Sequence, residues 1–222
     1  MVLTPELMLR AYRAGLFPMA SSRESGDVEW LDPPERGIVP LDRFHLPARL
    51  ARSLRHSGVE VRADGDFAAV IAACAQPAPG REETWINRDI ERVFGDLARR
   101  GHAHSVEVLA EGRLVGGLYG VAIGGAFFGE SMFSRVADAS KIALVHLVAR
   151  LRLGGFALLD TQFVTEHLAR FGAVSVPRAA YRAMLDAAVS APAQWIAAPP
   201  TAILEAEIAL LRQAPARGDG PY

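Results

Sequence analysis

Cysteine and lysine are almost missing: Cys74 and Lys141 are the only examples in 222 residues. One cysteine excludes an intramolecular disulfide and fits a reducing compartment. Cys74 stands in the apolar run AAVIAACA, which reads as a buried structural thiol rather than a nucleophile. No apolar stretch approaches the ~20 residues of a membrane span, and the N-terminus carries no signal-peptide core. The expectation is a cytoplasmic protein with no membrane partner. No Gly-rich, Lys-ending phosphate loop occurs, so nothing points to ATP-driven chemistry. His102 and His104 form an H-x-H pair, but no third ligand stands at zinc spacing, so no metal is expected. There is no internal repeat and no low-complexity domain. A net charge of −1 excludes a uniformly basic nucleic-acid binder.

What is present is apolar. Half of the residues are hydrophobic, enough for a substantial core without staples, in one large domain or two small ones. The neutral charge hides an asymmetry. Arg36, Arg43, Arg49, Arg52, Arg55 and Arg62 fall in one stretch against only Asp42 and Glu60. The stretch is either a solvated helix face or a patch that meets phosphates, to which guanidinium groups are well matched.

The spacing predicts a helix after the Thr4-Pro5-Glu6 start, ended by Gly15, and then an apolar loop, Leu16 to Met19. Pro33 and Pro34 exclude a helix interior after Trp30. A short strand is expected at Arg36–Pro40, an Arg-rich helix at Leu46–His56, and a strand at Val59–Arg62. Two helices follow, at Asp66–Ala75 and Thr84–Arg100, around a Pro77–Gly80 loop. Then come strands at His104–Leu109, Leu114–Ile123 and Ala126–Met132, joined by glycine turns. A helix at Asp138–Arg152 leads to a short buried strand, Phe156–Asp160. A short helix (Thr165–Arg170), a strand (Val174–Val176) and a helix (Arg178–Val189) precede a Pro- and Ala-rich extension. That extension holds one further helix, Ile203–Arg212, and ten frayed residues.

Three antiparallel strands that feed a helix and a further strand resemble the core of GNAT-type acyltransferases, in which two central strands splay into a V. The coenzyme A signature of that fold is a glycine-rich loop between strand and helix, where bare N–H groups hold pyrophosphate. Here the junction reads Ser134-Arg135-Val136-Ala137-Asp138-Ala139-Ser140-Lys141, without a glycine. Asp160 and Gln162 stand two apart at the end of the buried strand, so an extended backbone points both to one face. Glu130 ends the neighbouring strand.

Several stretches together carry a resemblance: AYRAGLFPM, WLDPPERGIVPLDRFHLPARLAR, ETWIN, GHAHSVEV, LVGGLYGVAIGGAFFGESMFSRVADASK, LLDTQF and HLARFGAVSVPRAAY. The chain resembles the leucyl/phenylalanyl-tRNA–protein transferases over roughly residues 5 to 190. It departs at Met19, where that family often has tryptophan, and in its C-terminal tail. The resemblance implies an α+β protein. A small N-terminal α+β domain (1–62) would precede a GNAT-like acyltransferase domain of mainly antiparallel sheet flanked by helices (63–190). An extension (191–222) would follow. It implies an aminoacyltransferase that moves Leu, Phe and sometimes Met from aminoacyl-tRNA to proteins beginning with Arg or Lys. The product is an N-degron, no cofactor is used, and a monomer is expected.

For the site, the resemblance implies that Asp160 and Gln162 are catalytic. Asp160 would orient the amine or Gln162, or accept a proton, and Gln162 would position the attacking amine. Glu130 would sit beside them, at the terminal adenosine or at the cationic acceptor. Its plainer alternative is a buried acid paired with an arginine. Leu118, Phe127, Met132, Leu147 and Leu159 would form the side-chain pocket, where pattern alone reads core packing. Trp30, Trp85 and Ser131 would meet the terminal adenosine. Arg36, Arg49, Arg52, Arg55 and Lys141 would contact tRNA phosphates, with binding that weakens in salt. Two other readings stay open: a coenzyme A-dependent N-acyltransferase, and an inert module that binds tRNA or N-degrons.

Overall fold

The structure, a computed structural model, describes residues 2–77 and 82–212. The loop expected at 78–80 and the final ten residues lie outside the described residues. The elements run α1 (Pro5–Arg13), β1 (Phe17–Met19), β2 (Glu29–Leu31), β3 (Glu35–Val39), α2 (Ala48–His56), β4 (Glu60–Ala63), α3 (Phe67–Cys74) and α4 (Arg88–Arg99). They continue with β5 (Ala103–Ala110), β6 (Arg113–Ile123), β7 (Ala126–Ser134), α5 (Ala139–Leu153), β8 (Leu158–Gln162), α6 (Glu166–Ala169), β9 (Val174–Pro177), α7 (Arg178–Ser190) and α8 (Thr201–Leu211).

Seven strands form one sheet in the order β4-β5-β6-β7-β8-β3-β9, and β1 and β2 form a separate two-stranded ribbon. All pairings in the large sheet are antiparallel except β7 with β8. That one parallel pair follows from the α5 crossover, since a helix between two strands returns the chain in the same direction. The expected α+β architecture, a mainly antiparallel sheet flanked by helices in which three antiparallel strands feed a helix and a further strand, is therefore present.

Alternation along the strands divides the core. Tyr119, Val121 and Phe128 join Met8, Tyr12, Ile71, Phe94 and Tyr181 on the face covered by α1, α3, α4 and α7. Leu118, Phe127 and Leu159 join Phe44, Leu50 and most of α5 on the other. α5 is buried around most of its circumference because the sheet lies on one side and α2 and α8 pack against it as well. The extension is part of this layer. Trp195 stacks on His104 (4.6 Å between centroids) and donates its indole N–H to Asp64 at 2.7 Å. His104 also bonds Asp64 at 2.9 Å, so its ring has a structural role.

Three expectations change. The sheet does not break at residue 62, because β3 lies between β8 and β9, and β4 builds the far edge. The run Leu16–Met19 is not simply a loop; β1 pairs Phe17 with Leu31 and Pro18 with Trp30. The helix expected from Thr84 starts at Arg88, because Asn87 caps it by accepting from the Ile90 N–H at 2.8 Å. Trp85 and Ile86 therefore belong to the loop before α4.

Candidate active site

β7 and β8 pair at only three positions, Ala126–Phe128 against Leu158–Asp160. Beyond them the strands part, and the V holds a cavity of about 560 Å³. One wall is apolar: Leu118, Met132, Leu144, Leu147, Leu159 and Leu168. Phe17, Pro18, Met19 and Trp85 line it as well, and the polar lining includes Glu130, Ser131, Thr161, Gln162 and His167.

Two bulges aim these polar groups. In the β6–β7 ladder Tyr119 faces Ser131 and Gly120 faces Gly129, so Glu130 is the extra residue. A bulge rotates the strand, and Glu130, Ser131 and Met132 consequently all reach the cavity. Gly120 permits this, since a Cβ there would strike the Phe128 carbonyl and the Phe127 ring. In the β3–β8 ladder Gly37 faces Gln162 and Ile38 faces Asp160, which leaves Thr161 extra. Gln162 takes φ +57°, the left-handed region. A Cβ on Gly37 would lie 2.5 Å from the Phe163 carbonyl carbon, so only glycine lets the chain turn there.

Buried polar atoms are nearly always hydrogen-bonded. Among the described residues, four that have no partner line this one cavity: Glu130 Oε1, Thr161 Oγ1, Gln162 Nε2 and His167 Nε2. Such a cluster in a water-accessible cavity is the arrangement expected where a ligand completes the bonding.

Asp160 lies behind the cavity and is fully buried. Arg36 grips its carboxylate from Nε (3.0 Å and 3.1 Å) and from Nη2 (2.7 Å). The Tyr181 hydroxyl donates to it at 2.6 Å and the Gln162 backbone N–H at 2.8 Å. Arg36 is itself clamped between the Phe17 ring (4.4 Å) and the Tyr181 ring (4.6 Å), and donates to the Gly15 carbonyl at 2.9 Å. Burial works against the Arg36 charge, but the Asp160 carboxylate outweighs it and raises the guanidinium pKa. The pair holds the backbone of Gln162 in its strained turn.

Glu130 has the opposite environment. Burial pushes its carboxyl up to about 8, the nearby Tyr12 hydroxyl and Arg36 favour the charged form, and the Asp160 charge disfavours it. Tyr12 is raised by burial first and then by Glu130. Glu130 is thus an acid poised near neutrality whose side chain opens onto the cavity.

The family model described as leucyl/phenylalanyl-tRNA protein transferase matches residues 38–186, and that of its N-terminal domain matches residues 1–34. The chain belongs to the leucyl/phenylalanyl-tRNA–protein transferase family. A transferase of that name from Rhodopseudomonas palustris (strain BisB18) is 57% identical over 197 residues, 89% of this chain and 86% of that one. One from Paramagnetospirillum magneticum is 58% identical over 188 residues, 85% of this chain and 90% of that one. A solved ribosomal-protein-alanine N-acetyltransferase from Brucella melitensis is 15% identical, with a TM-score of 0.36 over 64% of this chain and 97% of that one. At that score the structural likeness carries no argument about the site.

Of the residues expected at the site of this transferase-family chain, Leu118, Met132, Leu147, Leu159, Trp85, Ser131, Glu130 and Gln162 line the cavity. Four predictions change. Phe127 does not line the cavity; it is fully buried against Phe156 and Trp195. Trp30 is paired with Pro18 on the outer ribbon and packs on the core instead. Asp160 does not share the face of Gln162, because the bulge and the left-handed turn break the alternation that the two-residue spacing assumed. Its enclosure also removes it as a proton acceptor. Arg36 is 1% exposed and held by Asp160, so it is no part of a phosphate-facing surface.

The lining residues that the sequence reading missed include Phe17, Pro18, Met19, Leu144, Thr161, His167 and Leu168. Met19 had a signal, since it ends the apolar Leu16–Met19 run, and the Ala20 N–H bonds the Trp85 carbonyl at 3.1 Å. Leu144 stands three residues before Leu147, one helical face. Nothing local distinguished His167.

Arg49, Arg52 and Arg55 are exposed on α2. Lys141 adjoins them through Asp138, which bonds Lys141 at 2.7 Å and Ser53 at 3.3 Å. This carboxylate sits at the N-terminus of α5, where a coenzyme A-type site would place phosphate. The Ser140 N–H is also taken by the Ser134 hydroxyl at 2.8 Å. An acid and a capped N–H make that helix end a poor anion cradle.

Proposed function

We propose that this chain transfers leucyl or phenylalanyl groups, and also methionyl, from aminoacyl-tRNA to the N-terminal amine of proteins that begin with Arg or Lys. The products are N-degrons, and the enzyme acts as a cytoplasmic monomer. The observation that carries the reading is the apolar cavity whose buried polar atoms lack partners.

The reaction is aminolysis of an ester. The acceptor amine attacks the aminoacyl carbonyl, a C–N bond forms, the C–O bond to the ribose breaks, and the ribose oxygen leaves with a proton. The ester already stores the energy, so the tasks left to the protein are placement, stabilisation of charge and proton handling. The leucine-rich wall with Met132 holds the donor side chain, and Met19, Trp85 and Ser131 flank the terminal adenosine. Gln162 meets the reacting groups, and Asp160 with Arg36 positions Gln162 from behind. Glu130 takes the proton that the amine loses, since its acidity lies near the ~8 of an α-amine. Arg49, Arg52, Arg55 and Lys141 contact the tRNA backbone, so binding weakens with salt.

Incubation with radiolabelled Leu-tRNA and a protein that begins with Arg is expected to label the protein. Absence of label, with acetyl-CoA-dependent acetylation in its place, would sink the proposal. Met132→Ala widens the apolar wall, and the Leu-to-Val preference in kcat/KM is expected to fall by about 10-fold. An unchanged ratio would take Met132 out of the pocket.

A further inference from the structure

A second cleft, of about 940 Å³, lies on the far side of α5 from the aminoacyl cavity. α2, β4, α5 and the extension with α8 form its walls. Its apolar lining includes Leu54, Val59, Val61, Ile142, Leu204 and Ile208. Its size falls within the ~300–1,000 Å³ typical of small-molecule sites. Among the described residues its charged lining is Arg55, Arg62, Arg150, Arg212 and Glu205, and Arg62 is paired with Glu60.

Arg150 is the unusual member. It projects from the same face of α5 as Ile142 and His146, and is 3% exposed. Its Nε donates to the Ala197 carbonyl at 3.2 Å, and its Nη1 to the His146 carbonyl at 3.1 Å and toward His146 Nδ1 at 3.4 Å. Among the described residues no carboxylate pairs with it. Glu107 and Asp64 act on it only from a distance, since Glu107 is bonded to the Ser105 hydroxyl and the Gly65 N–H, and Asp64 to His104, Ser105 and Trp195. Burying a charge without a counter-charge is costly. The other buried guanidinium, Arg36, has a full carboxylate partner. Burial and then the Arg150 charge hold His146 down to about 3, so it stays neutral and adds no second cation.

We propose that this cleft binds a small amphipathic carboxylate of the fatty-acid class, with its head on Arg150 and its chain along Leu54, Val61, Ile142 and Leu204. A nucleic-acid duplex does not fit the same description. Its phosphates lie on the outside of a wide rod and cannot follow an apolar wall down to a buried guanidinium, whereas a flexible chain with one anionic end can.

The test is titration of the intact protein with a dansyl-labelled undecanoate, followed by displacement with decanoate and with decanol. Saturable binding is expected, with decanol at least ~10-fold weaker than decanoate because it leaves Arg150 unpaired. Arg150→Met is expected to weaken decanoate by ~10-fold or more. If that variant does not fold, Leu204→Trp, which fills the cleft from its partly exposed side, is expected to do the same. Absence of saturable binding, equal displacement by decanol, or unchanged affinity in the folded variants would overturn the proposal.

Discussion

Asp160→Asn is expected to unfold the protein more readily by about 3–5 kcal/mol, the cost of leaving a buried charge without its partner. In a chain of this size that is a fall of roughly 6–20 °C in Tm. The reason is local. Arg36 stays buried between the Phe17 and Tyr181 rings, with no route to water, while the acid that neutralised it is gone. An exposed pair such as Arg62–Glu60 is screened by water and adds little, so the burial decides the size of the effect. Gln162→Ala is expected to behave differently. Its Nε2 has no partner to lose, so Tm changes little while turnover collapses. The double variant Arg36→Met/Asp160→Leu separates the roles further. Removing both charges restores much of the stability. It also removes the acceptor that holds the Gln162 N–H, so activity stays low. A stable and fully active double variant would show that Asp160 does not position Gln162.

Glu130→Gln carries the second large effect. Loss of a positioned proton acceptor is expected to lower kcat by roughly 10²–10⁴-fold. The pH profile tells an acceptor from a mere wall. Below pH 8 the wild-type kcat/KM should climb with two ionisations, Glu130 at about 8 and the acceptor amine near ~8. In Glu130→Gln only the amine remains, so the limb should become half as steep in a logarithmic plot. An unchanged slope with turnover within ~10-fold of wild type would exclude Glu130 as the acceptor. Stability follows the same group with a fixed sign. From 4.5, the reference value, up to about 8, the folded chain keeps a proton that the unfolded chain has released. Stability contributed by the neutral carboxyl is therefore complete below 4.5 and is lost as pH rises toward 8. Glu130→Gln should flatten that decline, measured by denaturant titration at several pH values.

The pair Asp160 and Gln162 illustrates how far a sequence can be read. Their spacing and their place at the end of a buried strand were legible, and so was the neighbouring Glu130. Their division of labour was not. A two-residue spacing implies a shared face only in a regular strand, and nothing local announces that Thr161 is a bulge or that Gln162 turns left-handed. Arg36 misled for a related reason. It belongs to an arginine-rich run, yet it alone lies on β3, which threads between β8 and β9. Its partner is 124 residues away, beyond the reach of any local pattern. Phe127 and Phe128 both read as apolar, and neither lines the cavity because both lie where β7 and β8 are still paired, before the strands part.

By itself the sequence determined the elements apart from the β1–β2 ribbon, because the periods of apolar residues and the capping and turn residues are local properties. It determined that a further strand follows a helix beside three antiparallel ones, and the structure showed that strand to be parallel to its neighbour. Its motifs carried the family. Tertiary structure alone decided which side of each strand meets the cavity, where the charges are paired, and which acid is left to titrate near neutrality. Those properties depend on burial and on partners distant in the chain. They place Asp160 in a closed ion pair and leave Glu130 open to the cavity.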